Sequence, residues 1–390
     1  MDTRPPNTFT ETIRLKPFKQ PTTSSDKDDT CSWYESITKP FRMGNAKAIA
    51  YGGCTLGILT AAAHQHLQAK HSSDSQQWAI YSASGVYLRP AFITHNYVCQ
   101  ITPLRSTRTF ETVRVEVYQA TGKQGELNSC MSGIVDFMRR SAQGRDRSIL
   151  SYSVQPQLSP KKGTLQHHSQ LDRYADVIER QAARGEMSAE MKTAYVKTFS
   201  AMAEYTVMKM PAEGIWGQNL WGVDKGRKTT QDHLPVPERT GYDWICSKGR
   251  LYLTESEQKA QTGVLPLSRS AISASFIAWF MDAALSFSGL SFSNRFLDDS
   301  SACASLDFSL RYHQEDVLFD ALSSGDNGDE QWFLRQIQSL QASWERSYNE
   351  GVLWQDMGKD QALRAVATMT QACIVKAPVD QAAAAAPAKL

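Results

Sequence analysis

No charge of one sign dominates this sequence. Its 42 basic and 40 acidic side chains leave a formal net charge of +2, which provides no sustained positive field for nucleic acid or an anionic membrane. No uninterrupted apolar run approaches the roughly 18 residues needed to span a bilayer, and Met1 to Lys39 is polar, without the apolar core of a secretory signal. A soluble, intracellular chain with no membrane span is expected. The seven cysteines (Cys31, Cys54, Cys99, Cys130, Cys246, Cys303 and Cys373) contain no Cys-x-x-Cys pair, and their odd number suits a reducing compartment better than a disulfide framework. The same scatter argues against zinc, and no other cofactor is expected. No Gly-x-Ser-x-Gly elbow occurs, which disfavours an α/β-hydrolase serine esterase.

What is present divides the chain. A length of 390 residues suits two domains of about 100–200 residues each. Residues 1–30, rich in Pro, Thr, Ser and charge, read as a disordered N-terminal segment. In residues 31–140, Tyr51-Gly52-Gly53-Cys54 opens a run with small and apolar residues at helical spacing to Leu67. Glycine permits close backbone approach at the start of that buried helix. Trp78–Leu88, Tyr97–Leu104, Thr109–Gln119 and Ser129–Met138 follow as strands, separated by turn signals at Arg89-Pro90, Ser106-Thr107 and Thr121-Gly122-Lys123. Residues 141–240 differ: a charged helix, Leu171–Met208, broken near Gly185, then a Gly-, Trp- and Pro-bearing loop, Pro211–Pro237, form a linker or insertion.

The first pattern returns in residues 241–377, with strand Tyr242–Leu253, apolar helix Ser268–Ser286, strand Ala302–His313, and a meander through Trp332–Leu340, Ala342–Gln355 and Ala362–Lys376. A tight turn is expected at Gly358-Lys359-Asp360. One buried helix with several antiparallel strands thus occurs twice, an internal duplication. The expected class is α+β, a double hot-dog in which each sheet wraps one side of its helix and the two units pair sheet to sheet. Residues 378–390 form a flexible tail ending in Ala388-Lys389-Leu390, a close variant of the Ser-Lys-Leu signal. Such a tripeptide is read by the peroxisomal import receptor, which makes the peroxisome the expected compartment.

The residues that carry a family likeness are Tyr51-Gly52-Gly53, Ser84-Gly85-Val86-Tyr87-Leu88-Arg89-Pro90 and Arg108 to Val115 in the first half. In the second half they are Ala278-Trp279-Phe280-Met281-Asp282, Ser305-Leu306-Asp307-Phe308-Ser309 and Thr368-Met369-Thr370-Gln371. In order and spacing the chain resembles acyl-CoA thioesterase II, the double hot-dog thioesterases of bacteria and peroxisomes. The resemblance covers about residues 33–140 and 243–376 and implies acyl-CoA as substrate. Carried over residue by residue, it places catalysis on Asp282, Ser305 and Gln371. Ser305 stands where the family has threonine, keeping the hydroxyl but losing the methyl that stiffens the rotamer. Cys54 stands where glutamine commonly follows Gly-Gly.

Thioester hydrolysis needs an oriented water, a base for its proton, and donors for the oxyanion. Asp282, among Phe280, Met281 and Leu285, can supply the base, and desolvation would raise its pKa. Gln371 and Ser305 can fix the water, and the oxyanion donor is expected to be a backbone N–H near a helix N-terminus. By itself Ser305 is far more often a plain strand serine, and Gln371 a surface strand residue. Only the trio carries the reading.

Competing features are weaker. His64 and His66, two apart on a helix, point to different faces, poor metal geometry, and read as helix-surface residues. His167-His168 falls in a polar loop and is read without chemistry. Cys54 at a helix start could act as a thiolate nucleophile, but a small buried residue is the better reading. Lys47, Arg89, Arg105 and Arg108 could meet CoA phosphates and receive no role. A hot-dog hydratase or lyase would want an Asp-x-x-x-x-His pair, and Asp307 and His313 are one residue too far apart. A catalytically silent acyl-thioester-binding protein stays as a further alternative, kept alive by Ser305, Cys54 and the insertion. Further association into a homo-oligomer rests on fold analogy alone.

Overall fold

The computed structural model of the protein describes residues 8–20, 31–44, 47–71, 78–140, 149–156, 165–249, 251–253, 256–257, 262–315, 317, 319, 330–358 and 361–378. The stretches of period two become strands, and the two apolar runs become buried helices. The first half contains α1 (Phe9–Thr12), β1 (Leu15–Pro17), β2 (Ser32–Ser36), α2 (Gly52–Lys70), β3 (Trp78–Tyr87), β4 (Val98–Ser106), β5 (Phe110–Ala120) and β6 (Leu127–Arg139). Two helices follow, α3 (Tyr174–Ala183) and α4 (Ala189–Tyr205). The second half contains β7 (Thr206–Lys209), α5 (Ile215–Asn219), β8 (Gly241–Ser247), α6 (Arg269–Asp282), α7 (Ser288–Phe292), β9 (Ala302–Ser305), β10 (Asp307–Tyr312), β11 (Phe333–Ser343), β12 (Arg346–Gln355) and β13 (Arg364–Lys376).

All described strands join one antiparallel sheet in the order β1-β2-β4-β5-β6-β3-β10-β13-β12-β11-β8-β7, with β9 also on β13. Read outward from its centre, the sheet repeats itself: β3, β6, β5, β4, β2, β1 on one side and β10, β13, β12, β11, β8, β7 on the other. The seam is the β3–β10 pair, Asp307 opposite Val86 through Arg311 opposite Ser82. Each half also places one long apolar helix between its second and third strands. This is the double hot-dog architecture expected from the sequence. In β5 the burial alternates residue by residue, the pattern of a sheet with a packed inner face and a wetter outer one.

The helices α2 and α6 run antiparallel against each other, Gly57 beside Ser275, Gly53 beside Trp279 and Gly52 beside Asp282. The approach is close enough to require glycine. A Cβ on Gly53 would lie 2.6 Å from the Trp279 carbonyl oxygen and 2.4 Å from the Tyr51 ring.

Several expectations are corrected. Residues 8–20, assigned to a disordered segment, form α1 and β1, because Phe9, Ile13 and Leu15 bury apolar side chains and Phe9 packs edge-on against Phe276. His64 and His66 are buried rather than on the helix surface, since α2 is enclosed along almost its full length. The apolar helix ends at Asp282, where Ala283 turns extended and Ala284 adopts a left-handed φ of 71°. The strand expected over residues 302–313 is divided at Leu306, whose N–H donates to Ala372.

The stretch Arg269–Phe292 is apolar and long enough by composition to cross a membrane, contrary to the expectation from uninterrupted runs, and 89% of its 18-residue apolar window is buried inside the protein. Its burial is that of a core helix. Within residues 141–240, β7 extends the second half's sheet by pairing with β8. Residues before α3 lie along the outer face of that sheet: the Trp354 indole donates to the Val154 carbonyl, Gln155 exchanges two bonds with Leu363, and the Trp244 indole donates to the Gln166 carbonyl. Lys359, Asp360, residues 1–7 and 21–30 and the Ala388-Lys389-Leu390 tail lie outside the described residues.

Candidate active site

The antiparallel pairing of the two helices places the last residue of one against the first turn of the other. Tyr51, the N-cap of α2, offers no side-chain cap, so the opening N–H groups of that helix need another acceptor. Asp282 supplies it from α6, accepting a hydrogen bond from the Gly53 N–H. The partial positive charge of a helix N-terminus favours the ionised carboxylate there.

Two side chains complete the shell around Asp282. The Gln371 amide donates to Oδ1 at 2.7 Å and the Tyr87 hydroxyl donates to the same oxygen at 2.9 Å. Gln371 is fully buried on β13, and Asp282 is 3% exposed. Tyr87, at the end of β3, is half-buried and the most accessible of the three. Burial pushes the Asp282 carboxyl above its ordinary range, while the bonds from Gln371, Tyr87 and Gly53 pull the other way without cancelling it. Burial and the neighbouring carboxylate also hold Tyr87 well above its ordinary pKa, so it stays a protonated donor.

The amide of Gln371 is oriented from behind. The Cys373 thiol, kept protonated by burial, donates to the Gln371 side-chain oxygen at 3.4 Å and receives a bond from Asn349 at 3.5 Å. With its oxygen engaged, the Gln371 amide turns its N–H toward Asp282.

The end of α6 is anchored by a buried ion pair. Arg335 on β11 pairs bidentately with Asp243 on β8 at 3.0 and 2.8 Å, both side chains fully buried. The same guanidinium donates to the carbonyls of Phe280 and Ala283 at 2.9 and 2.7 Å. Those carbonyls flank Asp282, so Arg335 both satisfies the helix C-terminus and fixes where the carboxylate begins.

Of the residues singled out from sequence, Asp282 and Gln371 are brought together. Ser305 lies on β9 opposite Cys373, two residues along β13 from Gln371, and its hydroxyl makes no hydrogen bond to Asp282 or Gln371. The hydroxyl on Asp282 is that of Tyr87, which sequence reasoning quoted only as part of a strand-end motif. Cys54 is buried near Asp282, and desolvation raises its thiol to about 12, which removes the nucleophile reading. Asp307 accepts from the Ala372 N–H and His313 meets Thr368, so no Asp–His pair forms between them. Lys47, Arg89, Arg105 and Arg108 are exposed. A groove of about 560 Å³ opens elsewhere, between the 166–177 stretch and residues around Met210 and Arg227, and does not reach Asp282.

The fold and this helix-end carboxylate define a double hot-dog protein. Residues 40–138 match the family model of the acyl-CoA thioesterase N-terminal domain. Solved structures with the same fold include a putative thioesterase II from Thermobifida fusca, with a TM-score of 0.54 at 14% identity, covering 94% of this chain and 97% of that one. An acyl-CoA thioesterase II, TesB2, from Mycobacterium marinum gives 0.52 at 14% identity, covering 95% and 97%. The tesB protein of Mycobacterium avium subs. paratuberculosis gives 0.51 at 14% identity, covering 88% and 92%. No curated protein matches the chain. The matched N-terminal domain supports the resemblance to acyl-CoA thioesterase II drawn from the residues, and these solved structures share the chain's fold.

Proposed function

We propose that this protein hydrolyses acyl-CoA thioesters to a free carboxylic acid and CoA, with Asp282 as general base. The observation that carries the reading is a buried carboxylate of raised pKa at the α2–α6 contact, held by Gln371, Tyr87 and the Gly53 N–H. A base so held is aimed, and desolvation makes it a better proton acceptor than an exposed aspartate. Water adds to the thioester carbonyl as Asp282 takes its proton. The tetrahedral intermediate then expels the CoA thiolate, which is protonated on leaving, and no acyl-enzyme forms. Gln371 orients the water. Ser305 supplies a second contact only if the strand end at β9 shifts toward Asp282.

The substrate is an acyl chain of fatty or polyketide-like character. Tyr87 is the most accessible group at Asp282, so its movement off Oδ1 opens the position a water would take. That same occupancy favours one alternative: with Tyr87 fixed, the protein binds acyl-CoA without cleaving it.

The test is CoA release from a panel of short, medium, long and branched acyl-CoAs. Wild-type protein turns over at least one of them, and Asp282→Asn, of matching size, loses about 100- to 10,000-fold in kcat. Release of CoA by neither protein, with acyl-CoA raising the Tm of both, replaces hydrolysis by binding.

A further inference from the structure

We propose a second site, for a divalent transition-metal ion of the zinc class, formed by His167, His168 and Asp356. The Nε2 atoms of both histidines converge on one oxygen, Asp356 Oδ2, at 3.1 and 2.7 Å. The three candidate ligand atoms all lie within 4.8 Å of one another. A tetrahedral ion with metal–ligand bonds of about 2.0–2.1 Å separates its ligand atoms by about 3.3 Å. Outward shifts of about 0.2 and 0.6 Å would bring the two histidine nitrogens to that spacing from Asp356 Oδ2.

Each ligand is already oriented by a further contact. The other ring nitrogen of His167, Nδ1, lies 2.8 Å from the Ser169 hydroxyl and accepts from the Ser169 N–H at 3.3 Å, contacts that fix the ring; a metal-bound tautomer would use the hydroxyl as the acceptor for its Nδ1–H. The second oxygen of Asp356, Oδ1, accepts from the Gly358 N–H at 3.0 Å, which leaves Oδ2 as the single coordinating atom. The His168 ring is stacked on Trp332, centroids 4.9 Å apart and 14° between planes, and meets Trp244 edge-on. Lys209 stands nearby, but its ammonium is spent on the His168 carbonyl and the Trp332 face rather than on Asp356. All three ligands are partly buried, and the fourth position is left to water.

Two neutral imidazoles and one carboxylate suit zinc, where three protein ligands with an open fourth position recur. The ion would bind the segment that crosses the outer face of the second half's sheet to the end of β12. It would therefore staple residues 165–171 onto that sheet, away from Asp282.

Tag-free full-length protein is stripped with chelator and titrated with Zn²⁺ by calorimetry, and with Co²⁺ by absorption. Wild type takes up one equivalent and gains in Tm. His168→Gln and Asp356→Asn each lose at least 10-fold in affinity and the Tm gain, while Ser169→Ala weakens binding by about 10-fold. Failure of stripped wild type to bind overturns the proposal, as does undiminished binding by both ligand variants. Should a variant fail to fold, the wild-type Co²⁺ spectrum decides: weak bands of four- or five-coordinate nitrogen and oxygen ligation support the site. Near-ultraviolet thiolate charge transfer would place the metal on cysteine and overturn it.

Discussion

Tyr87 and Gln371, from opposite halves of the chain, donate to the same oxygen of Asp282. The carboxylate therefore titrates under the control of both halves. Replacing Tyr87 by Phe removes a donor that stabilises the ionised form, so the Asp282 pKa rises further and the acid limb of kcat/KM moves to higher pH. A pH–rate profile of Tyr87→Phe beside wild type reads the shift directly. An unmoved limb would mean that Tyr87 serves packing alone.

The glycine contact between the helices makes a separate prediction. In Gly53→Ala the new methyl meets the Trp279 carbonyl and the Tyr51 ring at distances no packed core sustains. Overpacking of this kind costs about 1–3 kcal/mol, measurable by chemical denaturation. Activity should fall with it, because the displaced N–H is the one that holds Asp282.

Asp243→Ala leaves Arg335 charged and fully buried. Breaking such a pair costs about 3–5 kcal/mol, and the Arg335 bonds to the carbonyls around Asp282 loosen as well. A denaturation midpoint that scarcely moves would show that water reaches Arg335 and replaces its partner.

His64 links stability to pH. Burial, reinforced by the nearby Arg140 charge, lowers its pKa to about 3, against about 6.5 in the unfolded chain. A buried imidazole kept neutral is matched by the unfolded state above the unfolded pKa, so its penalty is absent there. As pH falls below about 6.5 the unfolded chain takes up a proton that the folded state refuses, and stability declines until the folded pKa is reached. At pH 5 this amounts to about 2 kcal/mol from His64 alone. Urea melts at pH 7 and pH 5 should show the decline, reduced in His64→Phe, since the site already packs edge-on against Phe137.

The fold was legible because its signals are local and repeated. An apolar helical run and strands that alternate in and out mark the first half and recur in the second as the 269–282 helix and its meander. Residues 8–20 were misread because Phe9, Ile13 and Leu15 are too few to outweigh the surrounding polar composition until α6 is there to pack against. That Asp282 and Gln371 meet was legible through motif resemblance. Tyr87 on Asp282 was not, since no local pattern says that the end of β3 lies beside the end of α6. The same holds for Asp356, which meets His167 and His168 only after the sheet is assembled.

The seam between β3 and β10 gives the two repeats unequal inheritances. Separate identical chains would have to encode every functional group in each copy and would build matching pockets in pairs. Joined in one polypeptide, the first repeat contributes Gly53 and Tyr87 and the second contributes Asp282 and Gln371. Each copy is then released from supplying what its sister provides, and the symmetry-related position is free to drift toward packing or toward a different ligand.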